Sequence, residues 1–136
     1  MRCFWIALLS LSASVAAYDE NPPEFTAARA VLEVRCLECH TEDEAKGGLV
    51  MATRAGREHG GDSGPSLVPG NPGDSGVLAR VLLAPDDDER MPPAKHGEPL
   101  SSDQVAALRD WIQAGAPWPE GAVGLRCSVL PSTTDR

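Results

Sequence analysis

Aromatic and basic residues are scarce in this chain of 136 residues. Two Phe, one Tyr and three Trp provide little aromatic surface, so a single domain of this length has a thin hydrophobic core and needs a further stabilising element. Twelve Lys and Arg stand against 20 Asp and Glu, which gives a formal net charge of −8. This balance, without a basic cluster, argues against a nucleic-acid-binding protein and against binding to anionic lipid.

Cysteine is also rare, with four residues in the whole sequence. Cys3 lies in an N-terminal segment with one positive charge, a short apolar run from Phe4 to Leu9 and small residues up to Ala17, as in a secretory signal. We predict a signal peptide over residues 1–17 and a periplasmic or otherwise exported bacterial protein. The apolar run is too short to span a bilayer, so we expect no stable membrane insertion after cleavage; an uncleaved N-terminal anchor is the alternative. The other three cysteines are too few for a disulfide framework.

Two of those cysteines belong to the pentapeptide Cys36-Leu37-Glu38-Cys39-His40. Residues at positions i and i+3 share one helix face, so both sulfurs can reach one flat ligand and form thioethers with its two vinyl groups. The adjoining imidazole would be the proximal ligand of an iron. A bare CxxC also suits zinc, a redox disulfide or an iron–sulfur cluster. His40 favours a c-type haem, and we predict one haem bound covalently through Cys36 and Cys39.

A haem that transfers electrons usually has six ligands, and the soft thioether of Met is one choice for the sixth. Met91 follows a charged stretch and precedes two prolines that restrict its backbone, a setting that core packing does not explain. We therefore predict Met91 as the distal ligand. Met51 lies in a short apolar run and is predicted to be a core residue. His96, His59 and an open five-coordinate iron are the alternatives.

Apolar residues at helical spacing predict three helices. The first covers residues 24–37 and leads directly into the pentapeptide, and the second covers residues 75–84. The third begins with a capping box at Ser101 and stops before Gly115. Residues 56–73 are rich in glycine and proline and are predicted to be mostly loop. A loop of this length in a compact domain is usually functional or wraps a ligand.

These segments, in this order along residues 24–121, resemble the planctomycete-type cytochrome c domain. The motifs that carry the resemblance are CLECH at 36–40, GGL at 47–49, GGDSGP at 60–65, VPG at 68–70, MPP at 91–93 and WIQAGAPWP at 111–119. The resemblance implies an all-α, cytochrome c-like fold with three or more short helices and long loops around one covalent haem. It also implies that the first and last helices cross, with Phe25 against Trp111, and that Met91 is the distal ligand. The chain departs from the family in two places: Met51-Ala52-Thr53 replaces the alternating apolar stretch that usually follows GGL, and Arg57-Glu58-His59 lies where the family tends to be apolar.

We therefore expect a haem domain over residues 18–121 and a tail of unknown structure over residues 122–136, which contains Cys127. The expected function is that of an exported mono-haem cytochrome, a one-electron carrier rather than an enzyme. Its partner would be a redox protein, and the acidic surface predicts a basic docking patch on that partner. The alternatives are a haem sensor or enzyme with an open distal site, the N-terminal haem domain of a larger secreted protein, and a non-haem interaction domain that uses CxxC as a disulfide.

Overall fold

The computed structural model describes residues 21–119, and within these residues the fold is helical, without a β-strand. The predicted signal peptide, Cys3 and the tail with Cys127 lie outside the described residues. The four α-helices are α1 (Pro23–Arg35), α2 (Arg54–His59), α3 (Gly76–Val81) and α4 (Ser102–Gln113), and the three 3-10 turns are Lys46–Gly48, Pro72–Asp74 and Ala94–His96. The predicted all-α, loop-rich architecture is confirmed. No helix in residues 21–119 is long and apolar enough to cross a bilayer.

The core is centred on α1 and α4, which pack against each other. Both helices bury apolar side chains at helical spacing: Phe25, Ala28, Val31 and Leu32 on α1, and Leu108, Trp111 and Ile112 on α4. The ring of Phe25 meets Trp118 edge-on, with centroids 4.8 Å apart, a favourable arrangement for two aromatic rings. Trp111 is buried in the same core and donates from Nε1 to the carbonyl of Pro117 at 2.9 Å. The segment that follows α4 is thereby held against it.

The start and the stop of α4 agree with the prediction. The Ser101 hydroxyl accepts from the Gln104 amide at 3.2 Å, and the Gln104 side chain accepts from the Ser101 amide at 3.0 Å. This reciprocal pair satisfies two amides that have no partner inside the helix. Gly115 follows the last turn with a φ of 94°, a left-handed conformation that glycine adopts without strain.

Two predicted helices are shorter in the structure. α1 ends at Arg35, short of the predicted residue 37, because the Leu37 amide bonds to the carbonyl of Leu32 at 3.1 Å, one residue further back than helical bonding requires. The pentapeptide is therefore a turn that leaves the end of α1. α3 ends at Val81, short of the predicted residue 84.

The prediction that residues 56–73 are mostly loop is wrong at its start, because α2 occupies residues 54–59. The Thr53 hydroxyl accepts from the Gly56 amide at 3.1 Å and caps this short helix. Beyond α2, the glycine-rich segment folds tightly onto the turn Lys46–Gly48. The Asp62 amide donates to the carbonyl of Gly47 at 2.8 Å, and a Cβ at Gly61 would lie 2.6 Å from that oxygen. The close approach therefore requires glycine at position 61.

Candidate functional site

A cavity of about 510 Å³ lies between the end of α1, the two glycine-rich turns (Lys46–Gly48 and residues 60–64), α3 and the segment around Met91. Its wall includes all four residues predicted to bind the cofactor: Cys36, Cys39, His40 and Met91. Apolar side chains on Leu49, Val77 and Val81 complete much of the lining. The volume falls in the range of roughly 300–1,000 Å³ that is usual for cofactor sites.

Cys36 and Cys39 are free, half-buried thiols that the turn after α1 brings to the cavity. Burial raises the pKa of the Cys36 thiol to about 12, and the charge of Arg35 lowers it only in part. Cys36 is therefore a neutral thiol at neutral pH, whereas disulfide exchange and zinc binding use the thiolate. No group of three or more His, Cys, Asp or Glu among residues 21–119 is placed to hold a metal ion. A structural zinc site would need further ligands beside these thiols, whereas a c-type haem needs the two thiols and the adjoining imidazole that are present.

His40 has the surroundings of a metal-binding imidazole. Its Nδ1 lies 3.3 Å from the carbonyl of Leu49; a carbonyl only accepts, so Nδ1 carries the proton and Nε2 keeps its lone pair. Burial lowers the pKa of His40, opposed by hydrogen bonds with the carbonyls of Leu49 and Lys46. The imidazole is therefore neutral at neutral pH. The Met51 amide donates to the carbonyl of His40 at 2.7 Å, so residues 49–51 support the imidazole from one side.

The structure separates the candidates for the distal ligand. Met91 is half-buried, packs against the core and lines the cavity, and its amide donates to the carbonyl of Arg80 at 3.1 Å. Met51 also lines the cavity, but its side chain is fully buried in the core and its backbone is bonded to His40. His96 lines the cavity from an exposed position, whereas His59 is exposed at the end of α2 and is not among the lining residues.

Basic side chains collect around this cavity although the protein is acidic. Arg35, Lys46, Arg80 and Lys95 line it, and Glu38 is the one carboxylate among the lining residues of the described chain. The guanidinium of Arg80 is held by Glu89 at 3.1 Å and by the hydroxyl of Ser63 at 3.2 Å. A haem brings two propionate groups, which such cations can balance. Two thiols, an imidazole, a thioether and a cationic rim therefore fit a haem c in size, donor set and charge.

Sequence reasoning did not identify the role of Arg57, although it noted the departure from the family there. The side chain is 2% exposed, and its guanidinium carbon lies 3.7 Å from the ring centroid of Trp118 and 5.6 Å from that of Trp111. Nη1 donates to the carbonyl of Met51 at 2.8 Å. Burial lowers the pKa of Arg57 to about 10, so the group remains charged at neutral pH. The buried cation is stabilised here because two indoles stack with it.

Comparison with known proteins supports the resemblance drawn from the motifs. Residues 36–95 match the family model described as Planctomycete cytochrome C. The match begins at Cys36 and spans the pentapeptide, both glycine-rich turns and Met91. No curated protein and no solved structure matches the chain. The predicted resemblance is confirmed over the matched residues.

Proposed function

We propose that the chain is an exported one-electron carrier; the match of residues 36–95 to Planctomycete cytochrome C supports a haem-binding cytochrome. One haem c would be attached through Cys36 and Cys39, with His40 and Met91 as axial ligands. The observation that carries this proposal is that all four side chains line one cavity of about 510 Å³. When bound, the haem supplies the one-electron chemistry of its iron.

The two thiols fasten the cofactor. In the proposed attachment, each thiol would add across one vinyl group, with its sulfur going to one carbon and its hydrogen to the other, so no oxidant would be needed. The high pKa of the Cys36 thiol keeps this hydrogen in place at neutral pH. Because Cys36 and Cys39 lie on the same turn, they would hold the cofactor at one edge. The cavity would enclose the rest of it.

His40 and Met91 tune the iron from opposite parts of the sequence. The bond from Nδ1 of His40 to the carbonyl of Leu49 fixes the ring orientation and makes Nε2 a better donor. The thioether of Met91 is a soft ligand that favours the reduced iron and raises the potential. Met51 is a poorer candidate because its backbone is bonded to His40 on the proximal side, and His96 is exposed.

The decisive experiment compares Met91→Ala with Met51→Ala in exported holoprotein. We expect the wild type and Met51→Ala to keep the near-infrared charge-transfer band of sulfur–iron ligation. Met91→Ala should keep its covalent haem, lose that band, bind carbon monoxide in the reduced state and have a lower reduction potential. An unchanged band and potential in Met91→Ala would remove it as a ligand. Ready binding of carbon monoxide by the wild type would favour a sensor or an enzyme instead.

Attachment and export are tested separately on the same material. Whole-protein mass should exceed that of the mature chain by one haem, and the gain should survive acid and acetone. The N-terminus of the exported protein should begin at residue 18. If the protein gains no mass in a host with working haem attachment, the proposal that it carries a covalent haem is wrong.

The proposed carrier requires a redox protein as its partner. The net charge of −8 favours a partner with a basic docking patch. The exposed Lys46 and Lys95 on the cavity wall would instead favour an acidic patch on a partner that docks at the cavity. Electron-transfer rates at increasing ionic strength would decide which charge governs docking, because Lys95→Glu should slow the reaction only if the cavity rim is the contact.

A further inference from the structure

A buried arginine ties together the loop that carries Met91. The side chain of Arg90 is 1% exposed. Its Nε donates to the carbonyl of Pro85 at 3.3 Å, and its Nη2 donates to the carbonyl of Gly97 at 3.4 Å. Pro85 follows α3 and Gly97 follows the turn Ala94–His96, so one guanidinium joins the two ends of residues 85–97. Met91 lies at the middle of this loop.

Apart from Arg90, residues 85–97 are tied to α3 by the ion pair between Arg80 and Glu89 at 3.1 Å, which lies at the exposed surface. Residues 85–89 and 94–96 are exposed, so the two flanks of Met91 bury little apolar surface and are expected to open easily. The Met91 amide has one bond to α3, at the carbonyl of Arg80, and the Arg90 amide has a local bond to Asp87 at 3.1 Å. The two side-chain bonds of Arg90 are the contacts that connect one end of the loop with the other.

The burial of Arg90 costs free energy of folding. Its Nη1 is buried and has no hydrogen-bond partner among the described residues. Such unsatisfied donors are rare and destabilising. An arginine is needed to reach both carbonyls, because its planar fork presents several donors in fixed directions, whereas a lysine offers one compact ammonium.

We infer that Arg90 is a positioning residue for Met91: by fastening Pro85 to Gly97, it fixes the thioether at the cavity and slows its exchange for other ligands. This inference rests on the proposed ligation of the iron by Met91. Both bonds are long for N–H···O hydrogen bonds, so the expected effect is moderate. Loss of a hydrogen bond from a charged donor corresponds to a change of about tenfold in the equilibrium between closed and open loop.

The test uses ferric holoprotein and free imidazole as a competing ligand. Stopped-flow absorbance follows the loss of the near-infrared band, which reports the sulfur leaving the iron. Arg90→Lys and Arg90→Met are compared with Arg109→Lys and Arg109→Met, which replace an exposed arginine on α4. We expect about tenfold faster imidazole entry in both Arg90 variants and no change in the Arg109 variants. Arg90→Lys preserves the charge and most of the volume, so it provides a holoprotein even if Arg90→Met does not accumulate.

Reduction potentials measured in the Met91→Ala background distinguish the positioning of Met91 from the electrostatic effect of the buried charge of Arg90. Combined with Met91→Ala, Arg90→Met should leave the potential where Met91→Ala alone puts it, because the positioned ligand is gone. Wild-type imidazole kinetics in Arg90→Lys, or an equal shift of potential in both backgrounds, would overturn the inference. If Met91→Ala keeps the near-infrared band, Met91 is not the ligand, and the inference about Arg90 fails together with the proposed ligation. If Met91→Ala loses the band but the Arg90 variants behave as wild type, the ligation stands and only the inference about Arg90 fails.

Discussion

Replacement of Arg57 distinguishes stacking of a planar cation from simple retention of charge. The guanidinium lies against Trp118 and donates to the buried carbonyl of Met51. Arg57→Met keeps the length of the side chain and removes the charge. Arg57→Lys keeps the charge and removes the planar fork. We expect Arg57→Lys, usually regarded as the milder change, to destabilise the protein more.

The magnitudes follow from the contacts of Arg57. A desolvated cation–π contact contributes about 2 kcal/mol, and an unpaired buried carbonyl costs about 2 kcal/mol. Burial lowers the pKa of Arg57 from 12.5 to about 10, which corresponds to a desolvation cost of about 3 kcal/mol for the charged form. Arg57→Met loses the first two contributions but recovers the third, for a net loss of about 1 kcal/mol. Arg57→Lys recovers little of the desolvation cost and should lose about 3 kcal/mol.

Guanidinium chloride unfolding of the holoproteins, followed by far-UV circular dichroism, measures these differences as shifts of the midpoint at constant slope. In a domain of this size, each kcal/mol also lowers the melting temperature by about 4–8 °C. The matched control is Arg54→Lys, three residues earlier on the same helix, where the arginine is exposed and paired with Glu58 at 2.7 Å. It should change little. If Arg57→Lys is as stable as the wild type, or more stable than Arg57→Met, the stacking explanation is wrong.

Three further measurements test the scaffold and the proximal ligand. Ser101→Ala removes the capping box of α4 and should cost about 1 kcal/mol in denaturant unfolding; an unchanged midpoint would mean that the cap contributes nothing. Gly61→Ala places a Cβ 2.6 Å from a backbone carbonyl and should cost about 1–3 kcal/mol, whereas Gly73→Ala, with 3.5 Å to its nearest neighbour, should be tolerated; equal effects would refute the packing of the two turns. In the chain without haem, burial lowers the pKa of folded His40, so the unfolded chain binds the proton more readily, and the stability of this form should fall as the pH decreases below about 6.5. His59→Gln should not alter that dependence, and a stability that rises toward acid would contradict the neutral imidazole.

The features predicted correctly from the sequence are those with a local physical cause. The start of α4 is encoded within four residues, because Ser101 and Gln104 satisfy each other's amides. The stop is encoded by Gly115 alone. The pentapeptide likewise places two thiols and an imidazole within one turn, and the structure brings all three to the same cavity. None of these features depends on distant parts of the chain.

The errors occur where distant contacts decide. α2 has a glycine in its centre and no apolar stripe, so its periodicity is not helical. It is held by Thr53 at its start and by the burial of Arg57 against Trp118. The cap at Thr53 was the one local signal that could have indicated it. The cations around the cavity come from four separate segments, and nothing in their spacing along the sequence indicates that they converge. The bonds of Arg90 are local, but no motif in residues 85–97 indicates that its side chain reaches the carbonyls of both Pro85 and Gly97.

The fold has one part that packs without the cofactor and a second part that forms the wall of the cofactor cavity. α1 and α4 bury aromatic and aliphatic side chains against each other without help from the cavity. The cavity wall is made of turns, short helices and the loop around Met91, which bury little. The lining of this cavity of about 510 Å³ combines apolar side chains with cations from four segments, so a bound group would bring these segments together. On the proposed function, attachment through Cys36 and Cys39 would keep that group in the cavity in both oxidation states of the iron.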